Sequence, residues 1–369
     1  MQEVRCATFA DREQIRDLWR ICFGDSEAFM DWFFQERYFP ALSSCLAVDG
    51  RILSALQSYP LHARVRGHIL PASMLAGVST HPDHSGKGYM RQTMLHYMQQ
   101  VRAAGIPIIV QTPAHLTTFF SRGFYPATDT LHVELAWTRG VDLPQGVCSH
   151  SLKEDLALLH RCYHLATAPY SGMISRSIAD FAYKFRDYAT DNAQCLVYTR
   201  DDTVKGYCVY YTLPDRVHAE EVVALDDDGY TALLHALCHE ANGRNLHAKL
   251  PPDAQPNLPG ASFSPQPQGV MGVVHVQELL SLLLHDDRFC FDIIDRSVPQ
   301  NHGVWDGTGK SATHPQITLE AGRLGQLLCG YATLEELIVA GHATVADADA
   351  AHALNILLPK QPCFIVDEY

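Results

Sequence analysis

A chain of 369 residues, 47% of them hydrophobic, is long enough to bury two or three separate cores. Its net charge of −13 argues against nucleic acid as a partner and is compatible with a cationic small substrate, though such charge also simply keeps a protein soluble. No apolar run nears the ~20 residues that span a bilayer, and the first residues lack a signal-peptide pattern. The eleven cysteines are scattered, with no Cys-x-x-Cys. The expectation is a cytoplasmic chain without membrane partner, disulfide framework or metal site.

Val4 to Phe9 alternates as a strand does, and Asp11 can cap a helix running to about Cys22. A second helix is predicted from Glu27 to about Phe39, its Phe29, Trp32, Phe33 and Tyr38 forming an aromatic face that suits a core. Leu46–Val48, Asp49-Gly50 and Ile52–Val65 read as a hairpin, and Arg66-Gly67 turns into another strand. Met74 to Thr80 is a short apolar strand that Pro82 and Asp83 break. From Tyr89 onward, Met90, Met94, Met98 and Val101 recur at helical spacing. Pro107 to Thr112 is the next strand. This order predicts a mixed sheet with helices packed on it.

Between the strand ending at Thr80 and the helix starting at Tyr89 lies His84-Ser85-Gly86-Lys87-Gly88. A small, cationic loop opening into a helix N-terminus offers unpaired N–H groups, a favourable dipole and the charges of Lys87 and Arg91. That chemistry suits a pyrophosphate. An ordinary strand–turn–helix connection explains the glycines as well.

A linker at Gly140–Gln145 precedes a second unit with helices predicted at Leu152–Leu165 and Ser175–Tyr188. Strands follow at Cys195–Tyr198, Gly206–Thr212 and Val217–Val223, then a helix at Tyr230–Ala241 and a strand at Leu246–Leu250. The order echoes the first unit. At the position equivalent to the phosphate loop stands Asp226-Asp-Asp-Gly229, whose three carboxylates repel a pyrophosphate. His235 and His239 lie one helical turn apart but lack the Glu of a zinc protease, so they read as packed or solvated. The proline-rich stretch 251–268 marks a further boundary. Beyond it, Gly272–Val276, a helix at Gln277–His285, strands at Phe289–Ile294 and Thr313–Leu319, and two helices form a third unit. Gly307-Thr-Gly-Lys-Ser311 has Val304 where a P-loop needs its first glycine, and reads as a hairpin turn. The terminus, Pro362 to Tyr369, is apolar enough to be tucked inside.

Gly77-Val-Ser-Thr-His-Pro82 followed by His84-x-Gly-Lys-Gly88-x-Met-Arg91 resembles the cofactor core of the GNAT acetyltransferases, in the variant of the Eis (enhanced intracellular survival) branch. Phe23-Gly-Asp25, Gly123-Phe-Tyr-Pro-Ala-Thr128 and Leu131-His-Val-Glu-Leu135 carry the same likeness. The resemblance implies an α/β (α+β) chain of two tandem GNAT-like mixed-sheet domains, 1–140 and 141–266, then a smaller SCP2-like domain, 267–369. It implies acetyl-CoA as cosubstrate, held by Val78, Ser79 and Thr80 of the strand, by Ser85, Gly86, Lys87, Gly88, Tyr89, Met90 and Arg91 of the loop and helix, and by Ala114 and His115. The second domain is expected to bind none.

The usual acid of the family is a tyrosine four residues before Gly123-Phe124; here Phe119 stands there and can donate no proton. Solvent, or the hydroxyl of Ser79, Thr118 or Ser121, must serve instead. The resemblance also implies that the free carboxylate of Tyr369 enters the active site as base, and that Asp25 and Glu368 help hold the acceptor's ammonium. It suggests a homo-oligomer, with a hexamer as one candidate size. The expected activity is N-acetyl transfer to a primary amine of aminoglycoside, polyamine or lysine type. The alternative, motivated by Phe119, Ser85 and the carrier-like third unit, is a non-catalytic acyl-CoA sensor or carrier.

Overall fold

The predicted hairpin strand and the stretch read as a short strand at Met74–Thr80 become two long antiparallel strands in the computed structural model, which describes residues 1–136, 141–154 and 156–368. β1 (Gln2–Cys6), β2 (Ser44–Val48), β3 (Arg51–Val65) and β4 (His68–Thr80) pair in sequence, and β5 (Ile108–Gln111) runs parallel to β4. α1 (Arg12–Phe23) and α2 (Glu27–Trp32) cover one face, where Trp19, Phe33 and Met74 are buried together. α3 (Tyr89–Ala103) covers the other with Met94, Tyr97 and Met98. The long second helix expected from sequence stops at Trp32 and continues as one π-type turn through Arg37. Trp32, Phe33 and Phe34 are all buried, and three consecutive inward residues do not fit one face of a regular α-helix.

β6 (Phe124–Leu135) joins the first sheet to a second run of strands: β7 (Val147–His150), β8 (Gln194–Arg200), β9 (Thr203–Thr212), β10 (Arg216–Ala224) and β11 (Asn245–Leu250). α4 (Ala157–Thr167) and α5 (Ile178–Thr190) pack on one face of this run, and α6 (Asp227–Ala241) on the other. β12 (Ser262–Val273) then returns to lie between β5 and β6. The twelve strands form one sheet, ordered β1-β2-β3-β4-β5-β12-β6-β11-β10-β9-β8-β7.

β12 corrects the sequence reading. The stretch taken as a proline-rich boundary is partly a strand of the first sheet, and the boundary expected at 266 falls inside it. Proline is tolerated because Pro265 and Pro267 pair only with β6; β5 is short and reaches β12 only from Val270 onward. The missing N–H groups thus face no ladder.

The remaining strands, β13 (Asp286–Ile294), β14 (Gly303–Gly307), β15 (Ile317–Glu320) and β16 (Ala343–Val345), form a separate sheet ordered β14-β13-β15-β16. It carries α7 (Val276–Leu283), α8 (Ala321–Cys329), α9 (Leu334–Val339) and α10 (Ala348–Leu357). Leu279, Phe291 and Leu327 share one apolar cluster with Trp19 and Met74, so this unit packs directly on the first. The P-loop fragment is a turn: Asp306 Oδ1 accepts from the N–H groups of Thr308 (2.8 Å) and Lys310 (3.0 Å). No described helix is long and apolar enough to cross a membrane.

Candidate active site

The site begins where two parallel strands part. β4 and β5 pair only through Ala72–Met74 and Ile108–Val110, so β4 beyond Met74 has its β5-facing edge unbonded to that strand. Between Ala76 and Ser79 the register against β3 slips by one residue, a bulge at Gly77–Val78. Gly77 has φ +54°, and a Cβ there would lie 2.0 Å from the Trp19 indole. Only glycine lets that ring close the floor of the site.

The widening gap is a cavity of about 590 Å³, lined by Trp19, Phe23, Phe29, Val78, Thr112, Pro113, Ala114, His115, Thr118 and Phe119. Asp25, Asp187, Asp191 and Glu368 supply its carboxylates. The Trp19 indole N–H donates to Asp25 Oδ2 at 2.7 Å, and the Ser26 hydroxyl donates to Asp191 Oδ1 at 2.7 Å. Of the expected residues, Val78, Ala114, His115, Phe119, Asp25 and Glu368 meet in this one cavity. Among the hydroxyls weighed as acids, Thr118 lines it. Ser79 is buried and donates to the Ala55 carbonyl at 3.2 Å, and Ser121 lines a different cavity.

Ser85 to Arg91 do not wall that cavity; they form the exposed turn after β4 and the first turn of α3. Gly86 and Gly88 have φ +76° and +75°, with open space where a Cβ would stand. Gly88 is the N-cap, so the helix's first N–H groups face outward unblocked by any side-chain cap. Arg122 approaches Arg91 there, and burial together with Arg91's charge lowers its pKa. Neither guanidinium has an ion-pair partner among the described residues. Arg91, in the first turn of α3 beside the open N-cap, suits an anion with several negative oxygens. Arg122 was missed from sequence, since nothing local ties it to the loop.

The tail reaches the same place from the far side. Cys363 to Asp367 are buried. The Phe364 N–H donates to the Ser171 carbonyl at 2.9 Å, and the Asp129 N–H to the Cys363 carbonyl at 3.0 Å. Fully buried Arg176 anchors it: its Nε donates to Asp367 Oδ1 (3.2 Å), while Nη1 and Nη2 donate to Glu221 at 3.0 and 2.9 Å. The hydroxyls of Tyr188 and Tyr207 also donate to Glu221. Burial opposes the charge of Glu221, but Arg176 and those hydroxyls hold its pKa below the ordinary value. Glu368 follows, accepting from Lys249 Nζ at 2.6 Å and from Gln268, while its carbonyl accepts from Lys184 Nζ at 3.3 Å. Tyr369 and its terminal carboxylate lie outside the described residues.

In the second run of strands the equivalent helix end is filled by acids. Asp226 caps α6 by accepting from the Gly229 N–H at 2.8 Å, and Arg200 bridges Asp226 and Asp228. His235 and His239 turn to separate carbonyls, of Asn257 and Val141.

Residues 3–127 and, separately, 172–259 match families described as acetyltransferase (GNAT) domains, and residues 276–366 match a sterol carrier protein domain. The chain belongs to the GNAT acetyltransferase superfamily. In this chain two GNAT domains are followed by one sterol carrier protein domain. No curated relative matches this GNAT protein in sequence.

Solved structures resemble it over 100% of both chains. They include a probable N-acyltransferase of Enterococcus faecalis (TM-score 0.85, 17% identity) and a GCN5-related N-acetyltransferase of Anabaena variabilis (0.82, 16%). Eis1 of Mycobacterium abscessus is a third (0.75, 16%). At such identity the likeness is one of fold. GNAT domains typically use acetyl-CoA, and the protein is accordingly an acyltransferase.

Proposed function

We propose that this acyltransferase moves an acetyl group from acetyl-CoA to a primary amine carried by a cationic acceptor. The observation that carries the reading is the cavity between the parted strands. One side offers the unbonded edge of β4, and the other four carboxylates, one of them delivered by the tail. The first GNAT domain would hold the cofactor: Val78 to Thr80 along its pantetheine arm, and Ser85 to Arg91, joined by Arg122, on its pyrophosphate. Asp25 and Glu368 would hold the ammonium, and the acid-filled end of α6 leaves the second domain without a cofactor role.

In the balanced reaction R–NH3⁺ and acetyl-CoA give R–NH–CO–CH3, CoA-SH and one released proton. Holding the neutral amine against the thioester would supply much of the rate, and backbone N–H near Val78 would polarise its carbonyl. Phe119 offers no proton to the departing thiolate, so that proton comes from solvent or from Thr118. Calorimetry with acetyl-CoA, then CoA release with spermidine, tobramycin and lysine methyl ester, tests the reading. Turnover on any amine supports it. Tight CoA binding with no turnover on a broad amine panel favours the sensor or carrier instead.

A further inference from the structure

Two of the eleven cysteines meet where the tail crosses the third unit. Cys329 is the last residue of α8 and is fully buried, and Cys363 lies in the tail and is 4% exposed. Their sulfurs stand 3.9 Å apart, although the residues are 34 positions apart in the chain. All eleven cysteines are free, and among the described residues no other two are joined by a hydrogen bond between their sulfurs.

The backbone holds this pair in place from both sides. The Ser171 N–H donates to the Pro362 carbonyl at 2.9 Å, and the Asp129 N–H donates to the Cys363 carbonyl at 3.0 Å. With the bond from the Phe364 N–H to Ser171, Cys363 is pinned between the Ser171 loop and β6. On the other side, α8 ends in Gly330 at φ +88°, directly after Cys329. The Ser171 hydroxyl donates to the Cys329 carbonyl at 2.6 Å and lies 3.3 Å from Cys329 Sγ.

A cation with no acid opposite it stands beside the thiols. Arg66, in the turn between β3 and β4, donates only to carbonyls, those of Leu328 (2.9 Å), Leu327 (3.3 Å) and Pro359 (2.8 Å). Its charge acts on both sulfurs, and it has no carboxylate partner among the described residues. A cation so placed favours thiolate over thiol. The hydrogen bond from Cys363 does most to lower the pKa of Cys329; burial opposes it, and Ser171 and Arg66 add to the lowering. That same bond, and then burial, raise Cys363. The other titratable group facing the sulfurs is Tyr331, whose hydroxyl is engaged in donating to Asp129 Oδ1 at 2.8 Å.

We propose that Cys329 and Cys363 form a redox modification site, a dithiol that a hydroperoxide converts into a disulfide clasping the tail to α8. The proposal goes beyond acetyl transfer and does not depend on it. Cys329 is the attacking thiolate and Cys363 the resolving thiol. The consequence lies further along the tail, where Asp367 meets Arg176 and Glu368 lines the cavity. In the reduced protein those contacts rest on non-covalent bonds alone. In the oxidised protein the tail cannot leave α8.

In the first step the Cys329 thiolate attacks the terminal oxygen of R–O–OH. The O–O bond breaks, its electron pair leaves on RO⁻, which takes a proton from water, and Cys329 becomes a sulfenic acid. In the second, the Cys363 sulfur attacks the sulfenic sulfur. The S–S bond forms, the S–O bond breaks, and hydroxide departs with the Cys363 proton as water. Two thiols and one hydroperoxide thus give one disulfide, one ROH and one water, with two electrons passing from sulfur to the O–O bond. The sulfurs close from 3.9 Å to about 2.0 Å. Hydrogen peroxide, the smallest such oxidant, reaches them by local opening of the tail, which has no helix from Pro359 onward.

The test uses the full-length protein, folded and fully reduced, exposed to hydrogen peroxide. Peptide mapping without reductant should recover Cys329 linked to Cys363, and dithiothreitol should undo the link. The midpoint of thermal unfolding should rise by about 5 °C in the oxidised protein and fall back on reduction. Cys363→Ser should show neither link nor rise, and should leave Cys329 as a sulfenic acid that dimedone traps. Cys148→Ser, which removes an exposed thiol, should behave as the parent does. Two results overturn the proposal: peroxide oxidises Cys148 while Cys329 and Cys363 are recovered as free thiols, or the link forms only in urea-unfolded chain. Both are read on the wild-type protein, so they stand whether or not Cys363→Ser folds. Failure of every amine to turn over would refute the acetylation reading and leave this map unchanged.

Discussion

Arg176 gives the sharpest test of how the tail is held. Arg176→Met keeps much of the side chain's length and apolar stem but strips the guanidinium from two carboxylates. Glu221 is fully buried, and the Asp367 side chain is 7% exposed. Breaking a buried ion pair on one side typically costs about 3–5 kcal/mol, because the orphaned charge finds no water. Here two acids are orphaned, although Tyr188 and Tyr207 still donate to Glu221, so the expected loss stays in that range. Arg176→Met with Glu221→Gln leaves a single unpaired acid and should recover at least half of it. Urea unfolding measures both, and carboxypeptidase digestion reports the tail, which should become cleavable in the single variant. Acetyl-CoA binding should persist, since the proposed cofactor loop, Ser85 to Arg91, does not wall the cavity that the tail enters, while amine turnover falls. A single variant within ~1 kcal/mol of the parent, with a protected tail, would refute the reasoning. The pH sign follows from Glu221. Its folded pKa lies below the unfolded one, so its contribution is complete above the ordinary glutamate value and disappears as pH falls through the folded one. Acid should release the tail.

Asp11 is held at about 2, chiefly by the hydrogen bond from Arg5, against an ordinary 3.8. Its stabilisation, on the order of 2 kcal/mol, is present above pH 4 and lost as pH falls toward 2. Asp11→Ala should therefore cost about that much at pH 7 and little at pH 2, as read by urea unfolding at both. Gly77→Ala puts a Cβ into the Trp19 ring at a left-handed φ, and should destabilise by about 2–3 kcal/mol and weaken acetyl-CoA binding. A change under ~0.5 kcal/mol in thermal unfolding would contradict the packing. Gly88→Leu meets open space, so its folding cost should be limited to about 1 kcal/mol of backbone strain. Calorimetry should nevertheless show acetyl-CoA binding at least ~10-fold weaker, and unchanged affinity would remove the loop from the cofactor site.

Much of this was legible from local pattern. Met90, Met94, Met98 and Val101 placed α3, and the paired glycines marked the helix entry that the coordinates place after β4. Asp25 was found through motif likeness and Glu368 through its place beside the last residue, and the cavity brings them together across 342 intervening positions. What stayed hidden depends on long-range placement. Phe29 read as a core aromatic because a cavity wall and a core share the same helical stripe. Asp187 and Asp191 are one helical turn apart on what looks like a solvated face. His247 and Lys249 alternate properly with Leu246 and Ala248 on β11, so their shared face could be seen, but not that it meets the tail. Arg176 precedes α5, though the sequence reading put it at the start of that helix, and a lone arginine there gives no hint of full burial. Prolines 265 and 267 argued against a strand because their value depends on whether the neighbouring strand is long enough to need an N–H.

The placement of β12 bears on how the protein is made. The sheet that carries β4 stays unfinished until residues 262–273 have left the ribosome. By then the whole second run of strands, from β7 to β11, has already been synthesised. At about 5–20 residues per second, the nascent first half waits roughly ten seconds with β5 and one edge of β6 unpaired. Such exposed edges are where chains pair wrongly or aggregate. The intervening domain can fold as it emerges and, through the β6–β11 pairing, cover one side of β6. The longest reach in sequence belongs to residues 363–368, which meet both halves only after β12 has been made. The cavity, whose wall includes Glu368, therefore cannot close before that residue is in place.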